Sequence, residues 1–109
     1  MEAPEAVTAL SALAQEHRLA LFRLLVQAGE DGLAAGALAQ RLGIPNSSLS
    51  FHLGGLSRAG LIRQERQSRS IIYRADYGRM NELLAYLMQN CCAGANCAPA
   101  APLEERNCA

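Results

Sequence analysis

The residues best equipped for chemistry stand at the end of the chain, where all four cysteines of its 109 residues fall within the last 19. Cys91 and Cys92 are adjacent, Cys97 follows across Ala93-Gly94-Ala95-Asn96, and Cys108 lies beyond ten further residues of polar, Pro-containing tail. Three thiolates with no His or carboxylate between them select a soft, thiophilic ion over zinc, magnesium or manganese. As(III) and Sb(III), which take three sulfurs in a trigonal pyramid, suit that count best, with Cd(II), Pb(II) and Cu(I) as alternatives. On a helix Cys91 and Cys92 would project about 100° apart. Cys97 must therefore fold back between them, and Gly94 and Asn96 permit such a turn. A helix C-terminus disfavours a thiolate, so the ligand itself must drive deprotonation. The same cysteines also suit a thiol redox switch, Cys97 pairing with Cys91 or Cys92, transiently in a reducing cytosol. Incidental tail cysteines are the third reading. Cys108 is not expected to be required.

The second chemical signal is ionic. A formal net charge of zero argues at first against a nucleic-acid partner, but the charge is unevenly spread. Residues 1–40 carry two Arg against five acids, a balance of −3, and residues 80–109 carry one Arg against three, a balance of −2. Residues 41–79 hold Arg41, Arg58, Arg63, Arg66, Arg69, Arg74 and Arg79 against Glu65 and Asp76, a balance of +5. There is no Lys, so every cationic side chain here is a guanidinium able to grip phosphate with two hydrogen bonds. Arg-rich codon usage explains the missing Lys but not the clustering.

Within that basic segment, Ile44 to Ile62 reads as a helix made to be read from outside. Leu49, Leu53 and Leu56 mark one apolar face, while Asn46, Ser47, Ser48, Ser50 and His52 crowd the first two turns on the others. An exposed helix N-terminus adds unpaired N–H groups and partial positive charge, which suits phosphates and base edges. Asn46 or Ser47 is the expected N-cap, and Gly60 ends the helix. Gly54 and Gly55 weaken it by about 1 kcal/mol each relative to Ala, and leave room for close approach either of another helix or of the DNA backbone. A preceding helix over residues 33–42, stopped by Gly43, completes a helix-turn-helix. Leu61 to Arg66 and Ser70 to Ala75 then read as two strands around Gln67-Ser68-Arg69, a hairpin or wing. An exposed Arg pair is ordinarily a solvated turn, but Arg66 and Arg69 follow a helix-turn-helix, so DNA contact is expected of them, as of Arg58.

The flanking elements must position these parts. Pro4 suits the first turn of a helix bearing Val7, Leu10 and Leu13 on one face. A second helix runs from Glu16 to Ala28, with Leu21, Leu24, Leu25 and Ala28 as its buried stripe and Gly29 as a left-handed cap. His17 and Arg18 oppose the dipole in its first turn, so a partner is expected, from Glu16 or a neighbouring helix. Asp76 caps a last helix in which Met80, Leu83, Leu84 and Leu87 recur at i, i+3, i+4 and i+7. With Leu10 and Leu13 this stripe reads as a dimer interface, the alternative being intramolecular core. The expected fold is mainly α with a β-hairpin wing, residues 1–90 forming the DNA-binding and dimerisation domain and 91–109 a cysteine-containing tail.

No apolar run approaches the roughly 20 residues of a membrane span, and Met1-Glu2-Ala3-Pro4-Glu5 lacks a signal peptide's pattern. A cytoplasmic location is therefore expected. An enzyme is not: no Gly-rich phosphate loop, apolar carboxylate pair or nucleophile-base pair is visible.

The order helix, helix, helix-turn-helix, wing, helix resembles the ArsR family of bacterial winged-helix repressors over roughly residues 5–90. The resemblance rests on the run from Glu16-His17-Arg18 to Leu25, on Ser48-Leu49-Ser50-Phe51-His52-Leu53 with Leu56 to Ile62, and on Arg66-Gln67-Ser68-Arg69. It implies a homodimer on an inverted repeat in a promoter, released by a metal ion or other inducer. The thiol motif that some members carry before the recognition helix is absent, since Asp31-Gly32-Leu33-Ala34-Ala35-Gly36 holds no Cys. The zinc-sensing pattern of Asp and His on the last helix is absent too, because no His follows Asp76. Cys91, Cys92 and Cys97 are similar to the C-terminal trithiolate arsenite site of other members.

Overall fold

The computed structural model describes residues 1–94. Helix α1 spans Ala3–Leu13, and its start is a capping box in which the Glu2 N–H donates to the Glu5 carboxylate at 2.8 Å. Three alanines, Ala6, Ala9 and Ala12, form its buried side. Val7 and Leu10, grouped with Leu13 in the sequence pattern, instead face outward, because the small side chains are what let the helix pack closely on its neighbours.

Helix α2, Glu16–Ala28, starts where the Gln15 side chain accepts from the Arg18 N–H at 2.9 Å, and it buries Leu21, Phe22 and Leu25. Leu24 and Ala28 of the expected stripe are only half-buried. Gly29 does take a positive φ of 70°, but with ψ −149° it opens a short 3-10 turn, Gly29–Asp31, rather than closing a left-handed cap.

Leu33 and Ala34 differ from expectation. They form a two-residue strand, β1, and the helix α3 begins only afterwards, spanning Ala35–Leu42. Leu33 pairs with Tyr73 and Ala34 with Ile72, so a partner far along the chain decides their conformation. Gly32, leading into β1, has φ +65°, and a Cβ there would lie 2.5 Å from the Tyr73 carbonyl oxygen; only glycine fits.

Gly43 closes α3 in the left-handed conformation, φ 66° and ψ 35°. Helix α4 spans Asn46–Arg58, and its N-cap is Pro45, with no side-chain cap, rather than Asn46 or Ser47. Proline already holds the extended φ that the position needs, and Asn46 and Ser47 enter the first turn with exposed side chains.

Strands β2, Ile62–Gln67, and β3, Ser70–Ala75, make the expected hairpin around Ser68-Arg69, where Ser68 takes φ 57°. The sheet is antiparallel in the order β1-β3-β2. Helix α5, Tyr77–Leu87, is capped by Asp76, whose carboxylate accepts from the Arg79 N–H at 3.0 Å. The Tyr77 hydroxyl donates to the Val26 carbonyl at 2.7 Å, tying the start of α5 to the end of α2. One core joins the elements through Leu21, Leu25, Leu38, Leu49, Leu56, Leu61 and Leu83, all fully buried. Among the described residues no helix is long and apolar enough to cross a membrane.

Candidate nucleic-acid interface and thiol turn

The first intrahelical bond of α4 runs from the Leu49 N–H to the Pro45 carbonyl at 3.0 Å. The amides ahead of it have no helical partner and point out of the helix end. Around that end Asn46, Ser47 and Ser50 are exposed and Ser48 is half-buried, while Leu49, Leu53 and Leu56 face the core. Arg58 is exposed at the other end of the helix, folded back so that a guanidinium nitrogen would lie 3.2 Å from a Cβ on Gly54.

His52 does not belong to this outer face. It is 9% exposed, and its Nδ1 accepts from the Arg18 Nε at 3.3 Å. The groove contact expected of it is withdrawn for a geometric reason: positions 49, 52, 53 and 56 form one stripe at i, i+3, i+4 and i+7. Burial, reinforced by Arg18 and His17, holds its pKa below the ordinary histidine value. A neutral ring accepting at Nδ1 carries its proton on Nε2.

Arg18 finds its partner on the neighbouring helix, as its unfavourable position in α2 requires. Its guanidinium carbon lies 5.2 Å from the centroid of the Phe51 ring. It also fills the notch at Gly55, where an added Cβ would come within 2.6 Å of that carbon. The close approach implied by the paired glycines is thus made by guanidinium groups. Two residues absent from the expected site therefore matter to it. Arg18 carried a signal, a cation in a first helical turn; Phe51 carried one as well, an aromatic ring off the stripe of Leu49, Leu53 and Leu56.

The seven arginines of the basic segment divide into two sets. Arg74 binds the Glu65 carboxylate at 2.6 Å and donates from Nε to the Glu30 carbonyl at 2.6 Å. Glu65 is held below the ordinary carboxylate range, chiefly by that bond. Arg79 bridges to Glu5 at 3.4 Å and Glu82 at 3.8 Å, and Arg63 lies 3.9 Å from Asp76. Among the described residues Arg41, Arg58, Arg66 and Arg69 have no carboxylate partner, and Arg66 and Arg69 are exposed at the tip of the wing. The fold thus offers a polar helix end on α4 and, on the hairpin, a tip whose two arginines lack a carboxylate partner while its root is ion-paired.

The residues expected at a dimer interface also divide. Leu83 is 2% exposed and belongs to the intramolecular core, because α5 turns that side toward the other helices. Leu13, Met80 and Leu84 are half-buried, whereas Leu10 and Leu87 are 43% and 51% exposed. Past α5, Cys91 donates its N–H to the Met88 carbonyl at 3.0 Å and opens a 3-10 turn, Cys91–Gly94. Asn90 and Cys92 both have positive φ, and Cys91 is half-buried and Cys92 exposed. Cys97 and Cys108 lie outside the described residues. Within them no three His, Cys, Asp or Glu side chains are grouped to hold a metal ion.

A family described as a helix-turn-helix domain matches residues 13–65. The transcriptional activator HlyU of Vibrio cholerae is 30% identical over 88 residues, 81% of this chain and 79% of that one. A structure of reduced HlyU shares the fold at a TM-score of 0.59, with 32% identity over 82% of this chain and 90% of that one. An ArsR-like regulator from Rhodococcus sp. RHA1 reaches a TM-score of 0.71, with 25% identity over 94% and 86% of the two chains. A homodimeric winged helix-turn-helix domain from Mycobacterium bovis, a possible ArsR-family regulator, reaches 0.63, with 27% identity over 80% and 81%. The relatives are transcriptional regulators, and the chain belongs to the ArsR family of winged helix-turn-helix transcriptional regulators.

Proposed function

We propose that the chain is a homodimeric repressor that occupies an inverted-repeat operator and is released when As(III), or Sb(III), binds Cys91, Cys92 and Cys97. The observations that carry the DNA half are the open polar end of α4 and the exposed Arg66 and Arg69, whose charges no carboxylate of the described fold neutralises. Asn46, Ser47, Ser48 and Ser50 supply short donors, more suited one by one to phosphate than to base edges, and Arg58, Arg66 and Arg69 supply charge. The second copy would cover Val7 and Leu10 of α1 with Leu87 of α5 and Met88 at its C-cap, exposed on two helices that the Arg79–Glu5 bridge holds together. Leu13, Met80 and Leu84 form the half-buried margin of that patch. The homodimeric relative supports this reading.

The donor set supports a soft ion, with Cys91 and Cys92 on a turn seated directly on the end of α5. Ligand uptake would order the tail against α5 and shift the dimer interface. The two α4 helices must meet half-sites about 34–36 Å apart, so a small shift costs affinity. A coupling of about 1–3 kcal/mol weakens DNA binding roughly 5- to 150-fold. Operator binding by fluorescence anisotropy, with and without arsenite, tests this in wild type and in Cys91→Ser, Cys92→Ser and Cys97→Ser. Release that persists in all three variants places the inducer elsewhere.

A second reading, the same thiols acting as a redox switch, is supported by the existence of a distinct reduced form of HlyU. A peroxide arm in the same titration separates the two. HlyU is named an activator, so a promoter-reporter assay decides the sign of regulation.

A further inference from the structure

Phe51 has no role so far. It is 63% exposed, whereas every large aliphatic side chain of α4 is in the core. It shares the outer face with Ser47, Ser50 and Arg58, spaced at four residues before, one before and seven after, so the ring stands in the middle of the surface offered to DNA. Nothing in the fold needs an aromatic ring there, and water solvates it poorly.

The ring is also held. The Arg18 guanidinium lies over it at 5.2 Å, is anchored by its bond to His52, and sits in the notch left by Gly55. The His52 ring meets Phe51 edge-on at 5.7 Å and 65°. A surface ring held by two neighbours, one of them itself anchored, has its position specified, which is what reading a base edge requires.

In the major groove only thymine presents an apolar group, its C5 methyl, and phenylalanine is one of the side chains that contacts it. We propose that Phe51 reads a thymine methyl in each operator half-site and that Arg18 is the residue that positions it. The proposal rests on α4 entering the major groove. It adds an apolar determinant to a helix face otherwise built for hydrogen bonds and charge.

The test uses an operator selected by the full-length protein from a random-sequence pool. Each thymine is then replaced by deoxyuridine, which removes the methyl and keeps every hydrogen-bonding group. For wild type, one thymine per half-site should cost about fourfold in Kd, the worth of one buried methyl group, and on the order of fifteenfold when both half-sites are changed. Phe51→Ala should bind the thymine operator about fourfold less tightly per half-site and no longer distinguish thymine from uracil, with an unchanged melting temperature. Gly55→Ala displaces only the tip of the flexible Arg18 side chain, so it should fold and show weakened methyl discrimination. A wild type indifferent to every replacement, or a Phe51→Ala protein that keeps full discrimination, overturns the proposal while leaving DNA binding intact. A large loss of thermal stability in Phe51→Ala overturns it as well, by making the ring structural. Failure to enrich any sequence overturns the DNA reading itself.

Discussion

Helix α4 and the wing both carry residues proposed to meet DNA, yet they are built on different terms. One side of α4 is sunk in the core through Leu49, Leu53 and Leu56, and its outer side is steadied by Arg18 from another helix. The wing has little beneath it: β2 is exposed from its second residue onward, held by its ladder to β3 and by the Arg74 bridges at its root. Helix side chains so held can be aimed at individual bases. Side chains on a thin hairpin can bring charge to the phosphates, which needs less aim. The contrast teaches that a local balance of +5 is not a measure of DNA-facing charge, since part of it is spent fastening the wing to the body.

The largest effect should come from hollowing the packed side of α4. Leu56→Ala is expected to lose about 2–5 kcal/mol of stability in a urea titration, against no more than about 0.5 kcal/mol for Ile71→Ala on the wing. Comparable losses would erase the distinction. Next, Gly32→Ala should cost on the order of 1–3 kcal/mol, because it strains the backbone and meets the Tyr73 carbonyl where the wing's sheet joins the body.

Smaller changes sharpen the division between arginines. Arg66→Ala and Arg69→Ala should each leave the melting temperature unchanged and shallow the salt dependence of operator binding by about 0.9 units of log–log slope. Arg74→Ala should do the reverse, lowering the melting temperature and leaving the slope alone. The mildest effect is with pH. His52 titrates below 6.5 in the folded chain, so the unfolded chain binds more protons as acid is added. Stability is therefore full above pH 6.5 and falls as pH drops through the folded value. Urea midpoints measured from pH 7.5 to 5 should show this decline in wild type and a flatter curve in His52→Gln.

Much of this was legible from local pattern. The stripe on α4, the stop at Gly43, the Asp76 cap and the hairpin all rest on residues a few positions apart, and all stand in the structure. What the pattern missed depends on distant partners. Two residues are too few for a strand period, so β1 had no signature apart from Tyr73 and Ile72. The buried side of α1 had no signature of its own, because Val7 and Leu10 outweigh three alanines on any hydrophobicity count, although close packing prefers the alanines. His52 was placed outside because its polarity was given more weight than its spacing, and the arginine that satisfies it lies 34 residues earlier.

The bond from Tyr77 to the end of α2 has a mechanical consequence. Thirteen residues make α2 a rod about 20 Å long. Its far end is gripped by the first residue of α5, and its near end carries Arg18, braced against α4. A tilt of about 3° at the Tyr77 end swings the Arg18 end by roughly 1 Å, the scale of a lost hydrogen bond. A displacement at the root of α5 is thus carried along α2 and enlarged where Arg18 meets α4.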